Sequence, residues 1–357
     1  MTSRRSRARI TKAQHLAPSG ARPRLLGRVA AHPYSVGAIV GAAALAVSAA
    51  VNHRLAKQAE RDNPPSGKFV EVNGVRLHYV EHGEGEPLVL LHGNGSMIQD
   101  FASSGLIDLA ASRYRVIAFD RPGYGHSERP RSTVWTAEAQ ADLIRAALEK
   151  LGVSRATVLG HSWGCSVAVA LALKSPATVG ALVLASGYFF PSVRLDVVTL
   201  SGPAVPVLGD AVRYSLSPLL ARLMWPGLMR KIFGPQDVPE KFDGGFPKEM
   251  TFRPFQIRAS AAESALMIPG AFALHKRYGE LRMPVVIVAG DEDRLITTGD
   301  QSARLHAEVP HSVLHRVPGA GHMVHQTATA SVMEAIDQAA AAARSDAPDG
   351  KVVPLAA

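Results

Sequence analysis

The sequence predicts an α/β fold: a mostly parallel sheet of about eight strands, helices on both faces, and a helical cap inserted late in the chain. Three observations carry this. Short runs rich in Val, Ile and Leu alternate with stretches whose apolar residues recur at helical spacing. Several of those runs are apolar throughout, as expected of strands buried on both faces. A stretch of nearly a hundred residues, 187–281, then contains Leu, Met, Phe, Pro and Trp but no clear buried strand. That is too long for an ordinary loop.

The elements follow in order. FVEV and VRLHYV flank Asn73-Gly74, a two-residue hairpin signal. PLVLLH (87–92), RVIAFD (115–120) and ATVLGH (156–161) read as buried strands. Between the last two, Ala139, Leu143, Ala147 and Leu151 mark one helix face, with Thr136 at its start. VGALVLAS (179–186), PVVIVAG (284–290) and SVLHRV (312–317) continue the strand series. Helices are expected at 298–309 and at about 325–343, and the Ala-rich end from 344 to 357 is expected to be disordered.

Ahead of this core lies a different composition. The formal net charge of +9 is misleading, because the first 33 residues carry eight of the 39 Lys and Arg and none of the 30 Asp and Glu. The rest of the chain is within one charge of neutral, so a basic nucleic-acid surface is not indicated. Residues 1–33 read as a basic disordered tail. YSVGAIVGAAALAVSAAV (34–51) is uncharged over 18 residues, about 27 Å of helix against a hydrocarbon core of roughly 30 Å. It reads as a single membrane anchor with the folded part of the chain outside, the alternatives being a cleaved signal segment or a soluble or interfacial helix. Residues 52–67, ending in Pro64-Pro65-Ser66-Gly67, are assigned to a linker, although HRLAKQAERD itself favours helix. The core then spans 68–186 and 282–343.

One cysteine, Cys165, excludes an intramolecular disulfide, and the histidines show no zinc-site spacing. No metal or cofactor is expected. The chemistry rests elsewhere. Gly160-His161-Ser162-Trp163-Gly164 is G-x-S-x-G, a pattern frequent by chance, but here it follows an apolar strand and precedes the helix-compatible SVAVALALK. That setting makes Ser162 the candidate nucleophile. Its base is expected to be His322, in the glycine-flanked loop PGAGHMVH (318–325), with His325 as the rival. Gly290-Asp291-Glu292-Asp293 supplies the carboxylate that orients the base, Asp293 being preferred to Asp291. His92-Gly93-Asn94-Gly95 curls after a strand, and the Asn94 and Trp163 backbone N–H groups are expected to form an oxyanion hole. His92 is read as packing beneath that loop, and Cys165 as packing inside the helix after the elbow.

Five stretches together, LLHGNG (90–95), FDRPGYGHSERP (119–130), GHSWG (160–164), GDEDRLI (290–296) and GAGHMVH (319–325), resemble the α/β-hydrolase fold family. The resemblance implies a Ser162–His322–Asp293 triad, a structural role for Asp120 and Gly123, and a variable cap at 187–281. Haloalkane dehalogenases and epoxide hydrolases of this fold use an aspartate nucleophile, and position 162 is serine, so those activities are not supported. HGNGS also departs from the HGGPG of the similar prolyl iminopeptidases. The expected reaction is hydrolysis of an ester or amide of a small, largely apolar or lipid-like molecule through an acyl-enzyme. Perhydrolase or haloperoxidase chemistry, carbon–carbon bond hydrolysis and a non-enzymatic receptor role are the alternatives. Leu195, Leu200, Leu216, Leu219, Leu220, Leu223, Met224, Trp225 and Leu228 are expected either to pack inside the cap or to line its pocket.

Overall fold

A computed structural model describes residues 33–194, 197 and 200–345. The basic tail up to residue 32, Leu195 and residues 346–357 lie outside the described residues. Contacts divide the chain into two compact units, Met1–Ala46 and Val47–Ala357. The described part of the first unit is helical, with Tyr34, Ile39 and Val40 exposed.

In chain order, helix α1 (Pro33–Asp62) comes first. It is long and apolar enough to cross a membrane. Residues 52–62 were expected to be linker and are helical instead. Their residues favour helix, Gln58 bonds Asp62 one turn on, and Pro64-Pro65 follows the helix end. Asn52 and Ala59 are buried, so this stretch belongs to the folded body of the second unit.

Among the described residues the sheet has eight strands in the order β1-β2-β4-β3-β5-β6-β7-β8. They are β1 (Lys68–Val72), β2 (Val75–His82), β3 (Glu86–Leu91), β4 (Tyr114–Phe119), β5 (Ala156–His161), β6 (Val179–Ala185), β7 (Val285–Gly290) and β8 (Val313–Val317). Strands β1 and β2 form the expected hairpin, in which Asn73 and Gly74 take φ of 52° and 72°, as a tight turn of primed type requires. β2 is antiparallel to β4, and every other neighbour is parallel.

Helices cover both faces. On one lie α2 (Ile98–Ser104), α3 (Leu106–Ala111) and the C-terminal helix, and on the other α4 (Ala137–Lys150) and α5 (Trp163–Lys174). The pleat sorts β3 between them: Val89 and Leu91 join one core, Leu88 and Leu90 the other. Thr136 caps α4 by accepting from the Ala139 N–H at 3.2 Å.

The segment after β6 is helical, as expected of a cap. It comprises α6 (Leu208–Ser215), α7 (Ser217–Phe233), α8 (Glu240–Gly245), α9 (Lys248–Thr251) and α10 (Pro254–Leu274), with 3₁₀ turns at Gly202–Ala204 and His275–Glu280. The helix expected at 298–309 is a π turn at Gly299–Ala303 leading into α11 (Arg304–Glu308). The last expected helix is two, α12 (Val324–Thr327) and α13 (Thr329–Ser345), broken at Ala328. The residues singled out for chemistry all follow the C-terminal ends of parallel strands: 92–95 after β3, Ser162 after β5, Asp293 after β7 and His322 after β8.

Candidate active site

The bend at Ser162 is a direct consequence of small neighbours. Ser162 has φ 52° and ψ −118°, a conformation seldom tolerated outside glycine, between the end of β5 and the start of α5. The turn needs the strand and helix backbones to touch. A Cβ at Gly160 would meet the Gly164 carbonyl carbon at 2.5 Å, and one at Gly164 would meet the Leu91 carbonyl oxygen at 2.0 Å. Neither position accepts a side chain. The bend puts the Ser162 Oγ at the N-terminus of α5, whose first-turn N–H groups have no partner within the helix.

The structure brings together the three residues expected from the sequence. The Ser162 Oγ lies 3.0 Å from His322 Nε2, and His322 Nδ1 lies 2.7 Å from Asp293 Oδ2. The other carboxylate oxygen of Asp293 accepts the Leu295 and Ile296 N–H groups, both at 2.8 Å, which prevents its rotation. His322 is fixed through its backbone: its N–H donates to the Ile232 carbonyl on α7, and its carbonyl accepts from His161 Nε2. With Nδ1–H directed at Asp293, Nε2 is left as the acceptor that faces the serine hydroxyl. The rivals are elsewhere. Asp291 pairs with Arg316 at the surface. His325 is buried on α12, bonded to Asp100 Oδ1 at 2.9 Å.

Cys165 is sealed in α5 with its thiol toward the Gly160 carbonyl, and burial pushes its pKa up. Asp120 is fully buried and accepts from His78 and from the Ile98 and His126 N–H groups, which makes it a brace for its loop.

The loop after β3 is held by groups the sequence reading missed. His92 lies under it as expected, with Nε2 accepting the Arg121 N–H. Arg121, fully buried, donates to the His92 and Gly93 carbonyls at 2.7 and 2.9 Å, and its guanidinium pairs with Glu263 of α10. Gln140 bonds both charged groups, and Arg129 approaches Glu263 to 3.9 Å. The Tyr124 hydroxyl lies 2.7 Å from Glu263 and 2.8 Å from the Asn94 side-chain oxygen. The Asn94 side chain is thereby tied to the cap, also donating to Ser264 at 3.1 Å. Burial alone would raise the Glu263 carboxyl, but Arg121 and then Arg129 outweigh it and hold the pKa below the usual value.

This pair joins the loop to the cap, and one-sided removal exposes its cost. Glu263→Gln should destabilise the fold by about 3–5 kcal/mol, since Arg121 would keep a buried, uncompensated charge. The double replacement Arg121→Met with Glu263→Leu should recover much of that loss. Denaturant midpoints of the three proteins check the ordering.

A second buried cluster lies behind the elbow. Asp100, His161 and His325 bring their ligand-type atoms within 4.8 Å of one another. Ser96, Gln326 and the His322 carbonyl engage Asp100 and His161 as well, while the Nδ1 atoms of His161 and His325 are buried without a partner among the described residues. Burial lowers the His161 pKa well below its usual value, with His325 and His322 adding to the effect. Burial, then the Arg121 charge, lowers that of His92 to about 4. Both groups therefore bind protons more readily in the unfolded chain. The contribution of these two groups to stability is expected to be present above about pH 6.5 and to be lost as the pH drops toward 4. His92 alone should account for about 2 kcal/mol by about pH 5. Unfolding curves across that range, with a flatter profile expected for a His92→Asn variant that still folds, provide the check.

Ser162 and His322 open into a cavity of about 680 Å³. Met229, Phe242, Phe246, Met267, Ile296 and Met323 supply much of its apolar wall, with Ser260 and Ser264 near the loop at 93–96. Of the cap residues expected to line a pocket or pack inside, Leu200, Leu223, Met224, Trp225 and Leu228 do line it. Leu216, Leu219 and Leu220 do neither: they face outward from α7 and its start. The pattern that places them on one helix face says nothing of what that face meets.

Comparison with known proteins agrees with this architecture. Residues 86–329 match a family model described as the alpha/beta hydrolase fold. The chain is similar to an uncharacterized hydrolase, YugF, of Bacillus subtilis strain 168, at 28% identity over 71% of this chain and 90% of that protein. It is also similar to 2-hydroxy-6-oxononadienedioate/2-hydroxy-6-oxononatrienedioate hydrolase 2 of Pseudomonas putida, at 30% identity over 70% of this chain and 85% of that protein. Among solved structures, a membrane phospholipase A described as a bacterial virulence factor superposes with a TM-score of 0.58 at 21% identity, covering 88% of this chain and 99% of that one.

Proposed function

The chain belongs to the α/β-hydrolase fold family and is a hydrolase, and from that premise we propose that it cleaves a carboxylic ester or amide of a small, largely apolar molecule through an acyl-enzyme on Ser162. The observation that carries this reading is the continuous hydrogen-bonded path from Ser162 through His322 to Asp293 at the base of an apolar cavity.

In the proposed reaction these groups act in turn. His322 Nε2 takes the hydroxyl proton as Ser162 Oγ bonds to the substrate carbonyl carbon. The carbonyl electron pair moves to oxygen, and the Asn94 and Trp163 N–H groups stabilise that oxyanion. Asp293 stabilises the imidazolium without taking its proton. Collapse of the adduct breaks the bond to the leaving group, which receives the proton from His322. Water then repeats the sequence on the acyl-enzyme and releases the acid.

Acyl length is the test. With p-nitrophenyl esters, kcat/KM should rise from acetyl to medium acyl chains, and a pre-steady-state burst of p-nitrophenol should equal the enzyme concentration where deacylation is slow. Turnover confined to acetyl esters would contradict a roomy apolar site.

A second reading is that the same triad cleaves a carbon–carbon bond, since the compound for which the Pseudomonas putida relative is named carries no ester or amide. That relative's substrates are dioates by name, and Arg230 and Lys231 border the cavity here. A vinylogous 1,5-diketone acid in the same substrate panel separates the two. We further propose that α1 holds the protein in a membrane with the catalytic unit outside the cytoplasm, as the basic tail favours. Retention in the pellet after carbonate washing is the expected result.

A further inference from the structure

The outward face of α7 has no partner among the described residues and is apolar along its length. Leu216, Leu219, Leu220, Leu223, Met224 and Leu228 fall at the spacing of one helical stripe, and all six are exposed, Leu223 by 78%. The start of α6 adds Val207, its N-cap, and Leu208, its first residue, exposed by 83% and 68%. Scattered exposed leucines need no explanation, but a contiguous ledge of this kind marks a surface that meets something apolar.

Two further observations say what. The first is where the chain enters the folded unit. The Ser48 hydroxyl donates to the Ser215 carbonyl at 2.7 Å, and Asn52 Nδ2 donates to the same carbonyl at 2.8 Å. Ser215 ends α6 and directly precedes Leu216, where the stripe begins. The uncharged run 34–51 leads into Ser48 and overlaps it, so any bilayer that holds that run reaches the chain within a turn of the ledge. The second is the cavity. Leu223, Met224, Leu228 and Leu200 are exposed and also line it, so its mouth opens on the ledge.

We propose that this ledge lies in the lipid interface of the bilayer holding α1, with the cavity opening into lipid, so that the substrate enters from the membrane and carries an acyl chain. The proposal rests on the anchor reading given above. An apolar helix face settles into the boundary between headgroups and acyl chains to a depth of about 5–10 Å. Arg230 and Lys231, exposed at the C-terminal end of α7, would then meet headgroup phosphates. Lipid contact also removes the desolvation step for a long-chain ester, which need never cross water to reach Ser162.

The test uses the full chain in vesicles of phosphatidylcholine and phosphatidylglycerol. Cys165, the only native cysteine, is buried, so a cysteine introduced by Leu220→Cys can be labelled selectively with a polarity-sensitive dye. Leu220 does not line the cavity. A second protein labelled through Glu84→Cys, just ahead of β3 and remote from the cap, is the control. The expected result is a blue-shifted emission at position 220 that is largely quenched by nitroxide lipids and protected from iodide, with the reverse at position 84. Val207→Asp with Leu208→Asp should lower hydrolysis of a vesicle-borne long-chain ester by about tenfold or more while leaving a soluble short-chain ester unaffected. A chain that floats with the vesicles but leaves the 220 probe open to iodide overturns the docking and leaves the anchor standing. A chain that does not float overturns the anchor, and the docking with it. Protection that disappears as protein is diluted in lipid points to a second copy on the ledge and also overturns the proposal.

Discussion

Ser162→Ala is expected to lower kcat on any productive ester by a factor of roughly 10⁶, with KM little changed. The hydroxyl makes one bond in the resting site, to His322, and its loss leaves the cavity and the loop at 93–96 intact. Residual catalysis would come from binding and from the proposed oxyanion donors, the Asn94 and Trp163 backbone N–H groups, which no side-chain change at 162 removes. The substitution also leaves a β-carbon at φ 52°, so the strain of the elbow persists and stability should hardly move. A variant that lost activity together with its fold would not test the chemistry, so equal denaturant midpoints for wild type and Ser162→Ala are part of the expected result.

Asp293→Asn carries the next largest effect, a fall in kcat of about 10⁴. Asp293 receives three hydrogen bonds, from His322 Nδ1 and from the Leu295 and Ile296 N–H groups. An asparagine can keep the two backbone bonds through its carbonyl oxygen, which turns its NH₂ toward His322. The imidazole must then present an acceptor at Nδ1 and a hydrogen at Nε2, the wrong tautomer to deprotonate Ser162. The charge that stabilises the imidazolium disappears at the same time. Activity should therefore recover in part at high pH, where hydroxide replaces the base, whereas Ser162→Ala should show no such recovery. Asp291→Asn, which loosens a surface pair with Arg316, should leave kcat within a factor of about two.

The contrast between these two aspartates shows why this site could be read from sequence. The elbow writes itself into the chain because its geometry excludes side chains at 160 and 164, and the loops after β7 and β8 must reach it from fixed positions. Steric need of this kind leaves short, ordered motifs. The Arg121–Glu263 pair leaves none. Its members are 142 positions apart, and a lone glutamate in a helix ordinarily marks the exposed face, whereas Glu263 is completely buried. One hint was available in ASAAESALM, where a single charge interrupts an otherwise small and apolar run. The α7 stripe shows the opposite failure. Its spacing was plain, yet Leu219 and Leu220 face outward, because periodicity identifies a face and tertiary structure alone decides what that face meets. Residues 52–62 read as linker from sequence for a related reason: the Pro64-Pro65 break is real, but it follows a helix that packs on the cap.

The proposed chemistry depends on one hydroxyl being a nucleophile, and a covalent probe reads that directly. After incubation with a fluorophosphonate, the wild-type chain should gain a single adduct, mapped by peptide mass spectrometry to the segment containing Ser162, while Ser162→Ala gains none. An unlabelled wild type, or an adduct that survives in Ser162→Ala, would contradict it.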